Sequence, residues 1–155
     1  MPYLIDGHNL IGRLPDVSLS DPDDEARLVE RLQVWCARRR VSATVFFDQG
    51  AAGQPSTAKF GRLTVRFVRP PQTADEGISA FLTRLGRGAS QWIVVSSDGA
   101  VRDAARRLGA RTTPSEEFAA GLGAVGGEAG EEKPDRPSPQ EISDWLRLFG
   151  RKKTG

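Results

Sequence analysis

Short apolar runs, rich in β-branched and aromatic residues, end at or just before an aspartate, and helical patterns fill the chain between them. Pro2 to Ile5 leads into Asp6, Ala43 to Phe47 into Asp48, and Trp92 to Ser96 reaches Asp98 within two residues. Runs this short and this uniformly apolar read as buried strands. Leu63 to Val68 alternates in part, as a less buried strand does, and Ala110 to Thr112 predicts a brief last strand. Between them Leu28, Val29, Leu32, Trp35 and Cys36 form one helical face behind an Asp21-Pro22 start. Ile78, Phe81, Leu82 and Leu85 repeat the i, i+3, i+4, i+7 spacing, as do Val101, Ala104, Ala105 and Leu108. Thr113-Pro114-Ser115-Glu116 has the form of a capping box for one more short helix. Strands alternating with helices of this length predict an α/β domain with a parallel sheet and right-handed crossovers. It occupies residues 1–120.

Composition then shifts. Residues 121–137 are Gly, Ala, Glu and Pro with almost no large apolar side chain, which predicts a flexible linker. Ser138-Pro139-Gln140-Glu141 is a capping box, and Ile142, Trp145, Leu146 and Phe149 share a helical face. An amphipathic helix over 138–150 is expected, docked on the domain or seated in a partner's groove, followed by a basic tail over 151–155. The lone Cys36 excludes an intrachain disulfide. No run approaches the roughly 18 apolar residues of a membrane span, and the amino terminus lacks the basic start and apolar stretch of a signal peptide. A cytoplasmic setting with no membrane partner is expected.

In an open parallel sheet, ligands bind beyond the carboxyl ends of the strands. That edge receives Asp6-Gly7-His8-Asn9, Asp48-Gln49-Gly50, Ser96-Ser97-Asp98-Gly99 and, at the start of the helix after Leu63 to Val68, Thr73-Ala74-Asp75-Glu76. Singly these acids have local uses: Asp98 as a helix cap, Glu76 closing a capping box with Thr73, Asp75 as a first-turn charge, Asp48 and Asp6 as turn formers. Jointly they bring carboxylates together from separate elements, and their repulsion calls for a cation. Mg²⁺ or Mn²⁺ takes such oxygen ligands and can activate water beside a phosphate. With His8 the only histidine, histidine-rich zinc sites are excluded. No Gly-x-Gly-x-x-Gly follows the first strand and no Walker loop occurs, which argues against a nucleotide cofactor. Asn9 is placed to fix the loop or to hydrogen-bond the carboxylates.

The formal net charge of +2 is a near-cancellation. Acids dominate residues 14 to 30, whereas Arg38, Arg39, Arg40, Lys59, Arg62, Arg66 and Arg69 face only Asp48 between 36 and 69. Eighteen of the 22 basic residues are arginine, the type suited to forked phosphate contacts. Arg38, Arg39, Arg40, Lys59 (in a Gly-rich loop from Gln49 to Gly61) and Arg62, with His8, are the candidate contacts for a polyanion such as a nucleic acid.

Ile5-Asp6-Gly7-His8-Asn9-Leu10-Ile11, Val45-Phe46-Phe47-Asp48, Thr73-Ala74-Asp75-Glu76-Gly77-Ile78 and Val95-Ser96-Ser97-Asp98 occur in an order and at spacings that resemble the YacP-like NYN-domain family, within the PIN-like nuclease group. The likeness covers roughly residues 2 to 118. The closing Trp145-Leu146-Arg147-Leu148-Phe149-Gly150 is similar to the tail of many members. The resemblance implies a PIN-like three-layer α/β sandwich, with a central, mainly parallel sheet flanked by helices. It implies a divalent-metal-dependent endoribonuclease, in some members acting on ribosome-associated mRNA. Asp6, Asp75 and Asp98 match the acidic ligands for Mg²⁺ or Mn²⁺, with Asp48 and Asn9 as supporting catalytic-site members. At His8 the family more often has tyrosine. Gly77 directly after Glu76 leaves two choices for the acid facing the metal, and Asp75 is the preferred one. The rival readings are a non-catalytic RNA- or ribosome-binding module of the same fold, and an adaptor working through the 138–150 helix.

Overall fold

A computed structural model of the chain describes residues 1–14, 24–48, 57–69 and 72–126. The strands are β1 (Tyr3–Asp6), β2 (Ala43–Phe47), β3 (Thr57–Phe60), β4 (Leu63–Phe67), β5 (Ile93–Val95) and β6 (Arg111–Thr113). The helices are α1 (Gly7–Ile11), α2 (Asp24–Arg39), α3 (Ala74–Leu85), α4 (Gly99–Arg107) and α5 (Ser115–Gly126), with a 3₁₀ turn over Gly86–Gln91. The sheet runs β3-β4-β2-β1-β5-β6, and only β3 is antiparallel.

Register sorts the side chains into two cores. Ile5, Val45, Val65 and Val95 stand side by side across the four central strands. With Phe47 and Phe67 they meet Leu28, Val29, Leu32 and Trp35 of α2 and Phe118 and Leu122 of α5. Their chain neighbours Leu4, Phe46 and Val94 point the other way, onto Ile78 and Leu82 of α3 and Val101 and Ala105 of α4. Strand period 2 thus feeds two helix layers, and the fold is a three-layer sandwich. Cys36 lies fully buried in the α2 core, and burial pushes its thiol up to about 12.

Local chemistry fixes the ends. α2 begins with Asp24 and Glu25 and finishes with Arg38 and Arg39, matching the helix dipole at both ends. Arg40 follows in the left-handed region at φ 57°, and Val41 donates back to the Cys36 carbonyl, closing a Schellman-type end. The expected Asp21-Pro22 start of this helix falls outside the described residues, as does the 138–150 helix. Thr73 and Glu76 complete the expected capping box of α3.

Three expectations change. Residues 57–60 form a strand, so Lys59 sits on edge strand β3 and not in a loop. Their sequence, Thr-Ala-Lys-Phe, carries no strong strand pattern; the pairing arises from the tight Gly61-Arg62 turn, with Gly61 at φ 64°. No capping box forms at Thr113, which belongs to β6, because the Glu116 carboxylate accepts from Ser97 instead. Helix α5 continues to Gly126, past the compositional boundary at 120, with Leu122 fully buried beneath it.

Candidate functional site

Along the sheet, β1 lies between β2 and β5, and the chain turns from one side of β1 to the other between β4 and β5. The carboxyl end of β1 is therefore the topological switch point, where α/β sheets open a crevice. Asp6 ends β1, Asp48 directly follows β2, and Asp98 follows β5 as the N-cap of α4. Three adjacent strands deliver these carboxylates to one edge, as their positions in the sequence predict.

Asp6 is the most perturbed of them. Burial pushes its carboxyl up from 3.8 to about 6; the Ser96 hydroxyl bond opposes the rise, the charges of Asp48 and Asp98 add to it, and His8 opposes it. Ser96, itself fully buried, donates to Asp6 Oδ2 at 3.1 Å and accepts from the Asp98 N–H at 3.1 Å. One hydroxyl thus couples the ends of β1 and β5. Asp98 Oδ1 accepts from the N–H groups of Ala100 and Val101, at 2.8 and 3.3 Å. Asp48 Oδ1 accepts from the N–H of Ala74, the first residue of α3. Two helix N-termini are in this way aimed at the edge, where their dipoles offset part of the carboxylate charge.

Asp75 and Glu76 make different local bonds. Glu76 Oε1 accepts from the Thr73 N–H at 3.0 Å and closes the capping box, while the Asp75 carboxylate accepts from the Thr73 hydroxyl. Asp75 directly follows Ala74, whose N–H is bonded to Asp48, in the first turn of α3. The charges acting on Asp6 are those of Asp48, Asp98 and His8.

Asn9 fixes the loop. Its Oδ1 accepts from the Ser97 N–H at 2.9 Å and from the buried Ser115 hydroxyl at 2.7 Å. The Ser97 hydroxyl in turn accepts from the Ser115 N–H at 2.9 Å. Asn9 thereby ties α1 to the β5–α4 loop and to the start of α5. His8 Nε2 is 2.7 Å from Glu25 Oε2, its ring 5.1 Å from that of Phe47. The side chains of His8 and Glu25 are only 17% and 7% exposed, so the histidine expected to touch RNA is engaged inside the protein. Gly7 makes this corner possible: a Cβ there would lie 2.4 Å from the Phe47 ring.

The arginine candidates lie elsewhere. Arg38, Arg39 and Arg40 end α2, which returns to the edge where β2 begins, and Arg62 sits in the turn before β4 at that same edge. Strands of three to five residues separate it from the carboxylates, about 10–16 Å at 3.3 Å per residue. Lys59, paired with Thr64, lies nearer that far edge than the site. Arg66 packs over the Phe46 and Phe81 rings. Arg13 and Arg102, whose charges act on Glu116, lie on the carboxylate side, and Arg69 follows the end of β4 there. Ser96, Ser97, Ser115, Glu25 and Glu116 were not among the expected site residues. For Ser96 and Ser97 the signal was their place directly after a buried strand; Glu25 and Ser115 carry no sequence signal.

The donor set has the chemistry of a hard-cation site, and positive charge beside Asp6 would offset the cost of ionising a carboxyl that burial, with added repulsion from Asp48 and Asp98, holds high. Among the described residues no three His, Cys, Asp or Glu side chains are gathered closely enough to hold one ion between them. An ion at this edge would be held by one or two carboxylates and keep several waters.

The YacP-like NYN domain profile matches residues 3–146. The chain belongs to the YacP-like NYN-domain family. That family is part of the PIN-like nuclease group, which supports a ribonuclease-type activity for this member. Two crystal structures of Rae1 (YacP) from Bacillus subtilis share the fold, each at 21% identity over 96% of this chain. One, covered over 80% of its length, superposes with a TM-score of 0.67. The other, a Trp-to-Leu variant covered over 92%, gives 0.65. No curated protein matches. The fold is PIN-like, as the sequence motifs imply. No helix among the described residues is long and apolar enough to cross a membrane.

Proposed function

We propose that this NYN-domain chain is a divalent-metal-dependent endoribonuclease whose site is the strand-end edge formed by Asp6, Asp48, Asp75 and Asp98. The observation that carries the reading is the state of Asp6, a carboxylate at the switch point whose pKa is raised by burial and by two further carboxylates from neighbouring strands. Such a cluster is costly to maintain without a cation.

Asp6, Asp75 and Asp98 would supply carboxylates to Mg²⁺ or Mn²⁺, one or two to an ion with water filling the rest, and Asp48 stands among them as a supporting member. A cation bound there would lower the pKa of a water and offset negative charge at the phosphate. The protein's own groups do the positioning. Ser96 fixes Asp6 relative to Asp98, Asn9 fixes the loop that carries Asp98, and Asp48 fixes the start of α3 beneath Asp75. The helix N-termini of α3 and α4 favour an anionic substrate at this edge. The substrate is RNA, in the reading extended to ribosome-associated mRNA, met in the cytoplasm.

Purified protein incubated with single-stranded and structured RNA, in EDTA, Mg²⁺ or Mn²⁺, tests the proposal. Internal cleavage that requires the metal is expected. RNA binding without cleavage in any divalent ion would make the chain a binding module instead.

A further inference from the structure

Nine of the fifteen arginines among the described residues fall at one end of the sheet. In a parallel sheet each crossover helix runs back against the strands, so strand starts and helix ends share the edge opposite the carboxylates. Arg38, Arg39 and Arg40 close α2 there, all exposed. Arg62 joins them from the β3–β4 turn, where its carbonyl accepts from the Ala43 N–H, and its charge reaches the Cys36 thiol. On the other face of the sheet, Arg84 lies in the last turn of α3 and Arg87 in the 3₁₀ turn that follows. Arg106 and Arg107 close α4, and Arg111 opens β6. These nine arginines are all exposed. Among the described residues no acid lies in a strand start or a final helical turn on this edge, and Asp103 within α4 lies 3.5 Å from Arg106.

Helix ends attract cations, which accounts for Arg38, Arg39, Arg84, Arg106 and Arg107. It does not account for Arg62, Arg87 or Arg111, nor for Arg40, which occupies a φ of 57° that favours glycine. Like charges held this densely favour a polyanion, and guanidinium forks favour phosphate. A lipid surface is a poor fit, because a peripheral membrane face needs apolar side chains to insert, and Met1 is the one exposed large hydrophobic among the described residues. Six strands span about 24 Å at 4.8 Å spacing, room for several phosphates of an RNA stem.

We infer that this arginine edge is a second RNA-contact surface that grips the phosphate backbone of a structured RNA, on the opposite side of the sheet from the carboxylates. The inference rests on the ribonuclease reading for its choice of polyanion. The segment gripped is then not the segment cut: the protein docks on one stretch of RNA and presents its carboxylate edge to another.

Binding of an RNA hairpin in EDTA, read across a salt series, tests the surface without any cleavage. The variant combines Arg40→Gly, Arg62→Gln and Arg107→Gln, and a second combines Arg40→Lys, Arg62→Lys and Arg107→Lys. The first is expected to bind about tenfold more weakly at physiological salt, with a salt slope shallower by about 2 to 3. The lysine variant keeps the slope, and both cut a short single-stranded RNA at the parent rate. Unchanged hairpin affinity and slope in the first variant would overturn the inference, as would an equal loss in the lysine variant. So would affinity for anionic vesicles or an acidic peptide that falls in the first variant while hairpin binding does not. A parent protein that binds the hairpin through these arginines yet cuts nothing supports this surface and refutes the nuclease reading alone.

Discussion

The Ser96 hydroxyl donates to Asp6 Oδ2 at 3.1 Å, joining residues that lie 90 positions apart in the chain. The bond holds the ends of two neighbouring parallel strands at the switch point, and it opposes the effect of burial on the Asp6 carboxyl. It does not cancel that effect, and a pH signature follows.

Asp6 is harder to ionise in the folded chain than in the unfolded one, so the folded state keeps its proton up to about pH 6. The cost of ionising it is complete above pH 6 and disappears as the pH falls toward 3.8. Asp6→Asn in EDTA is expected to be more stable than the parent at pH 7.5 by about 1–3 kcal/mol. The gap closes toward pH 4. Urea unfolding of both proteins across this range checks it; a gap independent of pH would place its origin elsewhere.

Asp75 and Glu76 are expected to part in their effects. Glu76→Ala removes one arm of the capping box and lowers stability by about 0.5–1 kcal/mol with little change in cleavage. Asp75→Asn leaves the melting temperature near the parent value and lowers the cleavage rate at least about tenfold. Single-turnover rates beside thermal melts decide it, and the reversed pattern would assign the metal to Glu76.

Asn9→Ala strands the Ser97 N–H and the buried Ser115 hydroxyl. A loss of about 2–3 kcal/mol in unfolding free energy is expected, with a fall in cleavage because the Asp98 loop loses its tie to α1. A variant of parental stability would mean that water replaces the amide oxygen.

Gly7→Ala forces a Cβ to within 2.4 Å of the Phe47 ring and 2.8 Å of the Phe46 carbonyl oxygen. The backbone oxygen cannot yield as a flexible side chain would. A destabilisation of about 2–3 kcal/mol in a denaturant melt is the expected result.

The sequence disclosed what is local. Buried strands such as Ala43–Phe47 declare themselves by composition, and an acid directly after such a strand must fall on the ligand-binding edge once the sheet is parallel. The Thr73–Glu76 capping box and the α2 apolar face were legible for the same reason. What depends on distant partners was not. Thr57–Phe60 becomes a strand only because β4 offers it an edge, and Glu116 leaves its expected box for Ser97, nineteen residues away. Charge location was the least legible of all. Residues 36 to 69 look like one basic segment, but the fold sends Arg38–Arg40 and Arg62 to one edge, stacks Arg66 on Phe46 and Phe81, and leaves Arg69 just past the end of β4 on the other. A linear cluster carries no record of strand direction.

Single-turnover cleavage of one RNA by the parent, Asp6→Asn and Asp98→Asn, with Mn²⁺ and with EDTA, tests the central claim most directly. Asparagine keeps the acceptor that caps α4 at position 98, so the fold survives while the ligand charge is lost. The account predicts cleavage by the parent in Mn²⁺ alone, and a fall of at least about a hundredfold in each folded variant. Parental rates in both variants, or cleavage unaffected by EDTA, would contradict it.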